Sequence, residues 1–184
     1  MPMSHHPNPS RTLTAALLLL AAAPLCAHGE CPAQGRSIVE RFLSLDAQGY
    51  RLSSDGHSEI WALTSEGATP DDPVTLTSTS AIVSSKPLKD GCLYAIKFQT
   101  LGYFTENDKG TAFTIKPSTE SQTVRVRCTR EDCKISIAFD DFKFGPHPDK
   151  AATVAWLTAL KSMQNDQQMK TYYSNVINQV RSLN

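Results

Sequence analysis

The chain has 184 residues and a mass of 20.1 kDa, with 18 basic and 18 acidic side chains. That length gives room for one domain, and 40% hydrophobic with 20% charged residues is too apolar for a disordered chain. A pI near 6.9 argues against a nucleic-acid binder, which carries a basic excess, and no internal stretch reaches the apolar length of a membrane span.

The N-terminus reads as an address. Residues 1–11 are polar with one cation, Arg11, and Leu13 to Ala23 then runs apolar without a charge. Small residues follow at Ala27 and Gly29. This is the pattern of a secretory signal peptide, with cleavage expected after Ala27. The expected division is a leader over 1–27, one α+β domain over 28–163 and an amphipathic helix over 164–184. Cys26 leaves with the leader.

Cys31, Cys92, Cys128 and Cys133 remain, an even number suited to an oxidising compartment. Four cysteines allow three pairings, and the sequence alone does not choose among them. Cys128 and Cys133 flank Thr129–Asp132 between two strand-like runs, so a hairpin there would set the two sulfurs opposite each other. Cys31–Cys92 would then pin the N-terminal segment to the sheet, closing a loop of about 60 residues worth roughly 4 kcal/mol in the chain-entropy model. Paired Cys-x-x-Cys knuckles are absent and the histidines are few (His28, His57 and His147 in the mature chain), so no metal is expected.

Along the mature chain, residues 32–48 predict a helix. Ile38, Val39, Phe42, Leu43 and Leu45 form its apolar side, and Arg36, Glu40, Arg41 and Asp46 its polar side. Gly49 is a natural stop. A second helix is expected from His57 to Ser65, with Ile60, Trp61 and Leu63 apolar, and Gly67 to Pro73 is a loop full of breakers. From Val74 the period changes to two. Val74 to Val83 is rich in Thr and Val, and Lys86 to Gly91 is a turn. Cys92, Tyr94, Ile96 and Phe98 alternate with Leu93, Ala95, Lys97 and Gln99. Asn107 to Gly110 is a turn leading to Phe113 and Ile115. Val124, Val126 and Cys128 alternate with Arg125, Arg127 and Thr129, and Cys133, Ile135, Ile137 and Phe139 with Lys134, Ser136 and Ala138. Successive strands joined by short turns predict an antiparallel meander with one buried face. Asp149 can cap a helix through about Met163 that carries Val154, Trp156 and Leu157. A last helix over about 166–183 carries Met169, Tyr172, Val176, Val180 and Leu183 as a narrow apolar stripe. The fold class expected is α+β: N-terminal helices on a curved antiparallel sheet, with C-terminal helices.

The run Ile38-Val-Glu-Arg-Phe-Leu-Ser-Leu-Asp-Ala-Gln-Gly49, the segment His57-Ser-Glu-Ile-Trp-Ala-Leu63, the strand Cys133-Lys-Ile-Ser-Ile-Ala-Phe139 and the step from Gly145-Pro-His-Pro148 into Ala152–Trp156 share an order with a known group. Roughly over residues 34–160, that order resembles the nuclear transport factor 2-like superfamily of cone-shaped α+β domains. The resemblance implies a sheet wrapped around helices with a pocket at the mouth of the cone. The superfamily holds isomerases, dehydratases, cyclases and non-catalytic members, so fold alone does not choose a function.

Enzymes of that superfamily commonly use an aspartate or histidine base with a tyrosine or protonated acid as donor. The candidates here are Asp55, His57, Tyr94, Tyr103, Asp140 and Asp141, with His57, Tyr94 and Asp140 foremost. Spacing brings no two of them together. Tyr94 falls on the apolar strand face, where a core tyrosine with a satisfied hydroxyl is the plainer reading. No Gly-x-Ser-x-Gly elbow and no phosphate-cradling glycine loop occur, and no cofactor is expected. Lys97, Arg125, Arg127 and Lys134 fall on the strand faces opposite the apolar one, where they would form a basic stripe able to steer an acidic protein partner.

These features point to an exported, non-catalytic binding protein of the periplasm, with secretion as the alternative compartment. A concrete version is an inhibitor or immunity-type protein for an envelope-acting enzyme. The competing readings are a pocket enzyme of lyase or isomerase type and a structural subunit held through the C-terminal helix. The expected ligand is a protein or a small apolar molecule, not nucleic acid; a homodimer is compatible with all three readings.

Overall fold

A computed structural model describes residues 30–53, 57–65, 73–107, 110–129, 132–136 and 145–184. The expected signal peptide, Asp55, Ile137, Phe139, Asp140 and Asp141 lie outside the described residues, as does the side chain of His57.

Helix α1 (Ala33–Ala47) forms where the apolar spacing asks for it and buries Val39, Phe42, Leu43 and Leu45. Gly49, at φ 81°, takes the left-handed conformation that stops the helix. Its N–H donates to the Asp46 carbonyl at 2.9 Å. Asp46 itself corrects the sequence reading, because it is buried rather than part of the polar side. It follows Val39, Phe42 and Leu43 at helical spacing and therefore shares their stripe.

A short 3-10 turn (Tyr50–Leu52) leads towards α2, which covers only His57–Trp61. The expected continuation to Ser65 gives way to a turn at Ala62 and Leu63, after which the chain bridges the last strand at Thr64. The Ser65 N–H donates to the Ile135 carbonyl at 2.8 Å, and the Ile135 N–H to the Leu63 carbonyl at 2.9 Å. Those sheet bonds satisfy backbone groups that a helix end would otherwise leave open.

Four strands follow in sequence order, β1 (Thr75–Leu88), β2 (Gly91–Asn107), β3 (Gly110–Cys128) and β4 (Cys133–Ser136), all antiparallel. β1 runs through Lys86 and Pro87, which the sequence had suggested as a turn. Pro87 is tolerated because β1 is an edge strand and needs no outward N–H. The inward positions of β2 are Cys92, Tyr94, Ile96, Phe98, Thr100, Gly102 and Phe104, all buried. One face of the sheet is thus covered along its whole length.

That face carries two cores. Helices α1 and α2 cover Cys92 to Phe98, Val124, Val126 and Ile135. Helices α3 (Lys150–Met163) and α4 (Gln167–Arg181) cover Leu76, Phe104 and Phe113. Between the cores the ladder slips, at Leu76 to Thr79 on β1 and opposite Thr100 to Gly102, where β3 contributes an extra residue near Pro117. Bulges bend and twist a sheet, and these fall where the covering layer changes. Asp149 and Asp166 cap α3 and α4 through the N–H groups of Ala152 and of Gln168 and Met169. The apolar stripe of α4 is used inside the domain, where Tyr173, Val176, Ile177 and Val180 are buried in the second core.

Candidate functional site

The alternation along β2, β3 and β4 places Lys97, Arg125, Arg127 and Lys134 on the outer face. The ladder pairs Leu93 with Arg125, Gly91 with Arg127 and Arg127 with Lys134, which gathers three of the four cations at one end of the sheet. Lys97 sits further along, paired with Ala81 on one side and Ser121 on the other. The expected stripe is therefore a cluster and one separate lysine. The β1–β2 hairpin brings Lys86, across from Leu93, and Lys89, in the turn, to the same end. Both belong to the site and both escaped the sequence reading, which treated 86–91 as a turn. Their spacing around Asp90 and Gly91 was the available signal.

Two described acids stand among these five cations. Asp90 accepts from Arg125 at 2.6 and 2.8 Å and lies 3.8 Å from Arg127. The Arg125 hydrogen bond holds its carboxyl below the usual carboxylate range. The Asp90 carbonyl also receives the N–H of Cys128. Asp132 pairs with Lys134 at 3.1 Å, and Lys134 donates to the Ala62 carbonyl as well. These exposed pairs hold the guanidinium and ammonium groups in place more than they stabilise the fold. Lys86 and Lys89 have no acid partner among the described residues.

The disulfides fasten this end. Cys31–Cys92 joins the chain ahead of α1 to the start of β2, and Cys128–Cys133 closes the β3–β4 hairpin. Of the three pairings open to the sequence, the structure has this one.

Of the six catalytic candidates, Tyr94 and Tyr103 have described side chains. Tyr94 is buried under α1, and its hydroxyl donates to the Pro32 carbonyl at 3.3 Å. Burial raises its pKa above the ordinary phenol value. His57 opens α2, and Asp140 lies outside the described residues.

The acid–base groups that do meet were not on that list. Asp46, Arg51 and His147 are 1%, 8% and 4% exposed, at the junction of the two cores. The Asp46 carboxylate accepts the backbone N–H of His147 at 3.1 Å, and Arg51 approaches the same oxygen at 3.6 Å. Arg51 also donates to the Gly145 carbonyl at 3.0 Å and lies 5.9 Å above the rings of Phe42 and Trp61. The His147 ring stacks on Phe98 at 4.2 Å. Burial pushes the Asp46 carboxyl up to about 6 against the pull of Arg51, and pushes the His147 imidazole down to about 4 with the help of Arg51.

This cluster ties a strap, residues 145–149, across the end of α1 and onto β1. The N–H groups of Thr75 and Thr77 donate to the carbonyls of Pro146 and Pro148, and the Asp149 N–H to that of Ala47. Buried and bonded in this way, the cluster orders the chain where α1, the 3-10 turn and the strap meet.

Among the described residues, no group of three His, Cys, Asp or Glu side chains could hold a metal ion, and no helix is long and apolar enough to cross a membrane. The chain matches no family model, no curated protein and no solved structure.

Proposed function

We propose that this chain is an exported, non-catalytic binding protein that docks an acidic protein surface on the basic end of its sheet. The observation that carries the reading is the gathering of Lys86, Lys89, Arg125, Arg127 and Lys134 around only two described acids, Asp90 and Asp132. A cluster with a net positive charge on a rigid support speeds encounter with a complementary partner and selects against like-charged ones. Two disulfides support a compartment that oxidises thiols; with the leader pattern, this favours the periplasm. An inhibitor or immunity-type role at the envelope fits such a surface, and a cone-shaped domain of the nuclear transport factor 2 kind is the architecture proposed to carry it.

The test reverses charge where the fold does not need it. Lys89→Glu with Arg127→Glu should weaken capture of the envelope partner at least tenfold at low salt, with an unchanged circular dichroism spectrum. Equal capture by the variant and the wild type would remove this site from the account.

A further inference from the structure

The open edge of the sheet deepens that reading, and the inference rests on it. β4's outer side is bonded to Leu63–Ser65, and the strap covers β1 at Thr75 and Thr77. Two edge stretches are left without a partner strand among the described residues, Ser78–Leu88 of β1 and Thr111–Thr123 of β3. They differ in protection. The β3 edge carries Lys116, Pro117 and Glu120 at its bulge, the devices that keep edges from pairing. The β1 edge from Ser78 to Ser85 is Ser-Thr-Ser-Ala-Ile-Val-Ser-Ser, with no charge and no proline, and all but the half-buried Ser80 and Ile82 are exposed. Its ladder to β2 is regular from Thr79 to Ile82, between irregularities at Ser78 and Val83.

Charge decides what fits there. Lys97 is exposed, has no acid partner among the described residues, and stands in the row Ala81–Lys97–Ser121. Ala81 is the only side chain between it and the edge, so the lysine stem can reach over it. Lys86 stands further along the same edge strand. A second copy added antiparallel about Ala81 would bring two Lys97 groups towards each other across two alanines, which disfavours self-pairing. An extended strand with acidic side chains on its outer face meets both lysines instead.

We infer that β1 takes up an extended acidic peptide segment of the partner by strand addition along Thr79–Ser85, with carboxylates meeting Lys97 and Lys86. Main-chain bonds supply the affinity and the two lysines the choice of sequence.

The test uses the full mature protein and a capped eight-residue peptide of alternating glutamate and valine, with a lysine–valine peptide as control. Amide hydrogen exchange reads the result. The glutamate peptide should slow exchange in Thr79–Ser85 at least tenfold, and Lys97→Gln or added salt should weaken its affinity about fivefold. The Lys89→Glu, Arg127→Glu protein should still bind the peptide, which separates this inference from the basic-end docking. Equal protection by the lysine peptide, or no protection by either, overturns it. So does a dimer in light scattering whose β1 amides are already protected without peptide, because a second copy then occupies the edge.

Discussion

Asp46 carries a charge that water would hold more cheaply than the core does. Its cost is offset by the His147 N–H and by Arg51, and each partner loses something if it goes. Asp46→Ala leaves Arg51 buried without its carboxylate and should destabilise the fold by about 3 kcal/mol, read by urea unfolding. The pH dependence has two opposed parts. Asp46 titrates higher in the fold (about 6) than its ordinary 3.8, so its contribution is present at low pH and is lost as pH rises through 6. His147 titrates lower (about 4) than 6.5, so its contribution is present above 6.5 and is lost as pH falls towards 4. In the wild type the two slopes oppose each other between pH 4 and 6, and stability should be nearly flat there. His147→Gln should make stability fall with rising pH over that range, and Asp46→Asn should make it rise. Tyr94→Phe removes only a hydroxyl bond to a carbonyl and should cost about 1 kcal/mol, leaving partner binding unchanged. Of these residues, Tyr94 was legible from its strand face. The spacing of Asp46 with Val39 and Phe42 was legible too, but an acid at the end of a helix reads as solvated when its partners lie 5 and 101 residues away.

The elements were legible because each has a local cause. The stop at Gly49, the cap at Asp149 and the period-two runs of β2 and β3 all act within a few residues. What escaped was set by distant pairing. Leu63–Ser65 leaves the helix to cover β4, and Pro87 joins a strand because that strand has an open side. The same distinction ranks the disulfides. Cys31–Cys92 spans 61 residues and Cys128–Cys133 only 5, so chain entropy assigns them about 4 and about 2 kcal/mol. Replacing the first pair with serine should lower the urea midpoint by about twice as much as replacing the second. At Gly102 a Cβ would lie 2.3 Å from the Thr114 carbonyl and 2.7 Å from the Phe113 ring. Neither backbone nor packed ring yields cheaply, so Gly102→Ala should cost roughly 2 kcal/mol or more by overpacking, seen as a lower thermal midpoint.

At the scale of the described molecule, one sheet carries two helix layers on its inner face, and its outer face presents exposed Lys86, Lys97 and Arg127 beside half-buried Arg125 and Lys134. Over the inner face, the covering layer buries Asp46, Arg51 and His147, with the His147 ring stacked on Phe98. The outer face carries the cations of the proposed docking end, which both disulfides tie down. The stripe of Arg125, Arg127 and Lys134 could be read from alternation; its extension to Lys86 and Lys89 needed the hairpin register. Binding through this end should weaken steeply with ionic strength, since exposed charges are screened within about 10 Å at 0.1 M salt.

The most direct measurement is parallel capture from envelope extract of the native host. The mature wild type and the Lys89→Glu, Arg127→Glu protein would serve as baits, with bound species identified by mass spectrometry and stoichiometry by light scattering. One stoichiometric protein with an acidic surface should be held by the wild type at low salt, released at high salt and lost from the variant. A partner held equally by both baits, or a wild type that captures no protein and binds a small molecule instead, would contradict docking through the basic end.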